Sequence, residues 1–272
     1  MRYKWIHGFI AFALIFAVGC ALAETSQPAA DAGQIVKETA EPFGQIPLDD
    51  QYTLVNNTWN IGAATGPFKE RVFLKEIDGK RLFGWEWEGK SNGKVVTYPS
   101  VIYGDKPWDP LSGRKSIFPI QAGSKKITLD FNVALKAKGT YDMAISLWGI
   151  RALPAVKENI SHEIMIFTVN KGVSLPGSSV GQLEVSGTKY DLYKWENQTD
   201  DSGVHKNHWC ILIFVARKPV LQGPVEVSAF IDYLIKKKLM TTEDYLCSLE
   251  LGNEVISGSG HVEIDKYQVK FE

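Results

Sequence analysis

From about Leu48 onward the chain is a succession of short runs in which apolar and polar residues alternate. Turn signals separate them about every 8 to 12 residues. "RVFLKEI" is closed by "DGK", an Asp-Gly hairpin signal. "RLFGWEWEG", "GKVVTYPSVIYG", "KKITLDFNVAL", "GTYDMAISLWGI", "HEIMIFTVN", "TKYDLYKWEN", "HWCILIFVA", "YLCSLELGNEV" and "SGHVEIDKYQVKF" continue the series. Strands this short bury an apolar face only by stacking sheet on sheet, so the pattern predicts a sandwich or barrel. One segment breaks the two-residue period. In "GPVEVSAFIDYLIKKKLM", Val227, Phe230, Ile231, Leu234 and Ile235 fall at helical spacing. Pro224 suits the first turn, and Lys236 to Lys238 suit the negative end of the helix dipole. The expectation is an all-β fold of two antiparallel sheets with one helix packed on an outer face.

The 272 residues carry a formal charge of -1 and no long Lys/Arg run, which argues against nucleic acid as a partner. Aromatic residues make up 11%, and such rings either fill a core or stack on the apolar face of a sugar. The first 23 residues read as a signal peptide: Arg2 and Lys4, an apolar run, then small residues. Two processing readings stand side by side. Cleavage after "ALA" removes the leader, whereas "AVGC" resembles a lipobox that would leave Cys20 as a lipid anchor. Either way the mature protein leaves the cytoplasm for the periplasm, the cell surface or the medium of a bacterium. Residues 24–47 lack periodicity and read as a flexible lead, with the globular domain spanning 48–272. Cys210 and Cys247 read as free thiols more readily than as a disulfide. No cysteine or histidine spacing predicts a metal site, and "HKNH" (205–208) reads as a loop.

Within this pattern, Glu163 shares a strand face with Met165 and Phe167. A second acidic strand lies near the end, where Glu250 and Glu254 share a face; parity alone does not choose between them. Two carboxylates over one groove suggest glycoside hydrolysis, in which one protonates the leaving oxygen and the other acts from the opposite face of the sugar. Neighbouring strands, about 4.8 Å apart, can bring such groups together.

The sequence resembles glycoside hydrolase family 12, the jelly-roll endo-β-1,4-glucanases and xyloglucanases. "EIMIF" resembles the family's nucleophile strand, with Glu163 in the nucleophile's place. "LGNEVISGSG" resembles the acid/base segment, with Glu254 as acid/base and Gly258 as a later glycine. "NNTW" resembles the Asn-Asn-x-Trp start, and "TYPS" a Ser-Tyr-Pro strand. The resemblance covers roughly residues 52 to 272. It implies a jelly-roll β-sandwich, a retaining mechanism, no metal or cofactor, a monomer and a β-glucan substrate. It also implies substrate contacts from Asn57, Trp59, Tyr98, Met165 and Phe167. The family's Asp that hydrogen-bonds the nucleophile aligns most simply with Ser146, with Asp142 four residues too early. That departure keeps open a second expectation, a noncatalytic carbohydrate-binding jelly roll of the cell envelope.

Overall fold

The computed structural model describes residues 33–109, 115–198 and 208–272. The leader, Cys20, residues 24–32 of the lead and His205 lie outside the described residues. In chain order the first strands are β1 (Gln34–Thr39), β2 (Gln45–Pro47), β3 (Tyr52–Val55), β4 (Lys69–Ile77), β5 (Lys80–Lys90) and β6 (Ser100–Gly104). Then come β7 (Ile120–Gln121), β8 (Ile127–Ile150), β9 (Ile160–Lys171), β10 (Ser178–Val185), β11 (Thr188–Gln198) and β12 (Trp209–Ala216). The chain closes with β13 (Val225–Glu226), helix α1 (Val227–Lys236), β14 (Tyr245–Leu246), β15 (Ser248–Gly252) and β16 (Val255–Phe271).

Two layers result, joined through the long strand β8. Its first part pairs with β16, which continues through β5 and β4 to β1 and forms the outer layer. Its second part pairs with β9 on one side and β15 on the other. That inner layer extends from β15 to β6, β3 and β2, and from β9 to β12, β11 and β10. The jelly-roll expectation holds, with one difference: β12 runs parallel to β9, so the inner layer is not wholly antiparallel.

The core lies between the layers and is filled by alternate residues of each strand. Met143, Ile145 and Leu147 of β8, Ile164 and Ile166 of β9, and Leu249 and Leu251 of β15 point into it, opposite Val72, Trp85, Trp87, Val262 and Ile264 of the outer layer. Trp85 and Trp87 are therefore core side chains. Beyond the reach of the outer layer, α1 covers the inner layer's back. Phe230 packs edge-on against Tyr190 and Phe214, with both centroids 4.9 Å away. Pro224 lies ahead of the helix, whose N-cap is Glu226.

Two sequence expectations change here. The lead is ordered from Gly33: β1 adds to the edge of the outer layer and β2 to the edge of the inner one. Its residues are largely exposed, so they lack the apolar alternation that marks a half-buried strand. "KKITLDFNVAL" and "GTYDMAISLWGI", read as two strands, form the single strand β8. Gly139 bends that strand instead of ending it. It pairs with Gly258 of β16, and both have positive φ, 108° and 109°. The backbones approach so closely that a Cβ on Gly258 would lie 1.9 Å from the Lys138 carbonyl oxygen. Cys210 and Cys247 are both free.

Gly258→Ala should therefore cost about 3 kcal/mol or more, from backbone strain added to steric overlap. Urea unfolding checks this: a midpoint close to the parent's at unchanged slope would show that the glycine pair is not required for the bend.

Candidate active site

The face of the inner layer turned away from the core carries the second set of alternating residues. They form a cleft of about 1040 Å³. All eight residues singled out from the sequence line it: Asn57, Trp59, Tyr98, Ser146, Glu163, Met165, Phe167 and Glu254. Phe43 and Trp195, both exposed, also border it, and Trp108, Trp148 and Trp209 form its aromatic wall. Trp148 meets Trp108 edge-on at 4.5 Å and Trp209 at 6.0 Å.

Glu163 stands on β9 directly across from Trp148 of β8. The Trp209 indole N–H donates to its Oε2 at 3.2 Å. Enclosure in the cleft and then the charge of Glu254 push the Glu163 carboxyl up to about 8; the Trp209 hydrogen bond and Lys106 oppose the rise. Glu254 sits where the chain passes from β15 into β16. Its backbone N–H donates to Asp142 Oδ1 at 3.1 Å, and its carbonyl accepts from the Asp142 N–H at 3.1 Å. Asp142 Oδ2 is buried without a hydrogen-bond partner, and the charge of the Glu254 carboxyl acts on Asp142. Burial, then the charge of Glu254, holds Asp142 well above the usual carboxylate range, and burial also raises Glu254. The two carboxyls act as a pair that retains a proton under conditions in which isolated acids would lose it.

Asn253, fully buried, anchors this segment to the core. It accepts from the Trp85 indole N–H at 2.8 Å and donates through Nδ2 to the Asp142 carbonyl. A third carboxylate, Glu250, points into the cleft from β15 opposite Ser146. It forms an ion pair with Lys106 at 3.1 Å and accepts from the Ser100 hydroxyl at 3.2 Å. Among the described residues no group of three or more His, Cys, Asp or Glu side chains is arranged to hold a metal ion.

Three sequence expectations need correction. Ser146 lines the cleft, but in the strand register it faces Met165 and Glu250, not Glu163. Asp142, judged too far along its strand, is the acid that meets a cleft glutamate, and that glutamate is Glu254. The Tyr98 hydroxyl is not displayed to the cleft, because it donates to the Ala144 carbonyl at 3.0 Å. Sequence reading passed over Trp148, Trp209 and Lys106. Trp148 was legible in principle, since it shares strand parity with Ser146. Trp209 and Lys106 depend on which strands and turns become neighbours, and no local pattern carries that.

Residues 50–272 match Glycosyl hydrolase family 12, and the chain belongs to that family. It is 27% identical over 228 residues to Endoglucanase S of Pectobacterium parmentieri, covering 81% of this chain and 82% of that protein. It is 24% identical over 217 residues to xyloglucan-specific endo-beta-1,4-glucanase 1 of Phytophthora nicotianae, covering 77% and 81%. Its fold is similar to the native family 12 xyloglucanase from Bacillus licheniformis, with a TM-score of 0.76 at 24% identity over 87% of this chain and 100% of that one.

A further acid lies just behind the cleft. Glu70 of β4 is buried, and burial pushes it up to about 8. The Thr97 hydroxyl lies 2.6 Å from Glu70 Oε1 and 2.7 Å from the Asn57 carbonyl. A hydroxyl has one proton, so a neutral Glu70 acting as donor satisfies both contacts. With a folded-state pKa above the unfolded one, the fold binds more protons than the unfolded chain. Stability from this group is full below about pH 4.5 and is lost as pH rises through about 8. Glu70→Gln should therefore flatten the loss of stability over that window by up to about 1.4 kcal/mol per pH unit. Urea unfolding at pH 5 and pH 8.5 measures it; parallel losses in parent and variant would contradict the buried neutral acid.

Proposed function

We propose that the protein is a retaining endo-β-1,4-glucanase in which Glu163 is the nucleophile and Glu254 the acid/base. The observation that carries this reading is the placement of these two carboxyls in one aromatic-walled cleft, where the charge of Glu254 acts on the ionisation of Glu163. Of the charges that raise Glu163, that of Glu254 is the largest, ahead of Glu250. This favours Glu254 over Glu250 as partner. Glu250 is moreover tied to Lys106 and Ser100, whereas the Glu254 carboxyl forms no ion pair among the described residues and has the raised pKa that an acid catalyst needs.

In the first step Glu254 gives its proton to the leaving glycosidic oxygen while ionised Glu163 attacks the anomeric carbon. In the second, Glu254 takes a proton from water, which displaces Glu163 and restores the starting configuration. The Trp209 N–H and the Lys106 ammonium favour the carboxylate form of Glu163. Asp142 holds the Glu254 segment through the Glu254 backbone N–H. Trp59 and the aromatic wall stack on glucosyl rings, and Asn57, Met165 and Phe167 shape the bonds beside them. The open cleft suits internal stretches of a polymer. The curated relatives, an endoglucanase and a xyloglucan-specific endoglucanase, support β-1,4-glucan as substrate class. The leader read from the sequence supports action outside the cytoplasm.

Reducing-end release from xyloglucan, mixed-linkage β-glucan and carboxymethylcellulose tests the reading. Parent protein should cleave at least one of them, and Glu163→Gln and Glu254→Gln should each lose about 10²- to 10⁴-fold in kcat. Binding of the polymers without cleavage by the parent would favour the noncatalytic module instead.

A further inference from the structure

Five carboxyls gather on the cleft side of the inner layer: Asp142, Glu163, Glu250 and Glu254, with Asp109 in the lining beside Lys106. Two lysines line the same cleft. Lys94 is exposed at the rim, whereas the side chain of Lys106 is only 10% exposed. Lys106 lies in the turn that follows β6, where its carbonyl accepts from the Asp109 N–H at 3.1 Å. From there Nζ reaches Glu250 Oε2 at 3.1 Å and lies 5.9 Å from the centroid of the Trp108 ring. Trp108 in turn packs on Trp148, the residue across from Glu163. The ion pair is thus built into the aromatic wall of the site and is not a contact of the outer surface.

We propose that Lys106 is a positioning residue for the nucleophile: by neutralising Glu250 it allows Glu163 to ionise in a cleft crowded with acids. This rests on the reading of Glu163 as nucleophile. Without the ammonium, the negative charge of Glu250 would act on Glu163 unopposed, adding to that of Glu254. The other groups around Glu163 do not replace it. Trp209 of β12 gives one neutral N–H, and Tyr98 donates to Ala144. Asp142 of β8 accepts from the Glu254 backbone N–H. His162, next to Glu163 on β9, is bonded to Ser161 and to the Leu239 carbonyl, and burial lowers its pKa. Lys194 of β11 pairs with Glu196.

The test compares parent, Lys106→Met, Lys106→Arg, Glu250→Gln and the double variant Lys106→Met/Glu250→Gln. The titration midpoint of the Glu163 carboxyl is read by ¹³C NMR, and the acid limb of kcat/KM against pH is followed alongside. Lys106→Met should raise both by about half a unit to one unit. Glu250→Gln should lower them, Lys106→Arg should restore the parent values, and the double variant should return close to parent. A midpoint that does not move in Lys106→Met overturns the proposal, whether the variant is merely less heat-stable or shows a raised KM at every pH. The two readings fail separately. Activity retained by Glu163→Gln removes the nucleophile role, whereas the NMR midpoint reports the influence of Lys106 on Glu163 whether or not the protein turns over substrate.

Discussion

Desolvation of acidic groups on the concave face of a sheet is the constraint on which the site depends. The second part of β8, with β9 and β15, is enclosed on both faces, so every second residue enters the core and every other one enters the cleft. A carboxyl placed among the cleft residues loses water, and its charged form becomes costly. Glu163, Glu254 and Asp142 all respond by shifting upward. A carboxyl that keeps its proton near neutrality is what general acid catalysis needs, and one that gives it up only with help from a neighbour is what a controlled nucleophile needs. The burial that is costly to stability is thus the source of the chemistry.

The rest of the fold holds these groups in register. Strand β8 is the common wall: Glu163 is across from it on β9, and Glu254 is bonded to it through Asp142. The bend at Gly139 and Gly258 lets β8 and β16 pass from outer to inner layer, with pairing resumed across a bulge between Val255 and Ser257. Asn253 ties the Glu254 segment to Trp85 in the outer layer, so the acid is fixed by the core and not by a free loop. Glu70 and Thr97 do the same for Asn57 at the other side of the cleft.

Much of this was legible in the sequence, because period-two alternation with turn residues is a local signal. The sandwich, the helix and the shared face of Glu163, Met165 and Phe167 follow from it. What escaped was non-local. Gly139 looks like a turn until Gly258 is placed against it. Strand β1 has too little buried surface to show a pattern. Ser146 and Asp142 share a parity, so only the register of β8 against β15 and β16 shows which one meets a catalytic candidate. Lys106 sits in a turn, where periodicity says nothing, and it reaches Glu250 across 144 positions of sequence because β6 and β15 pair.

The central claim is that one particular half-buried carboxyl, that of Glu163, forms a bond to sugar. Incubation with a 2-deoxy-2-fluoro cello-oligosaccharide bearing a good leaving group, followed by proteolysis and peptide mass mapping, tests it most directly. The account predicts a single stable glycosyl adduct on the peptide containing Glu163. An adduct on Glu250 or Glu254, or none in a preparation that cleaves polymer, would contradict it.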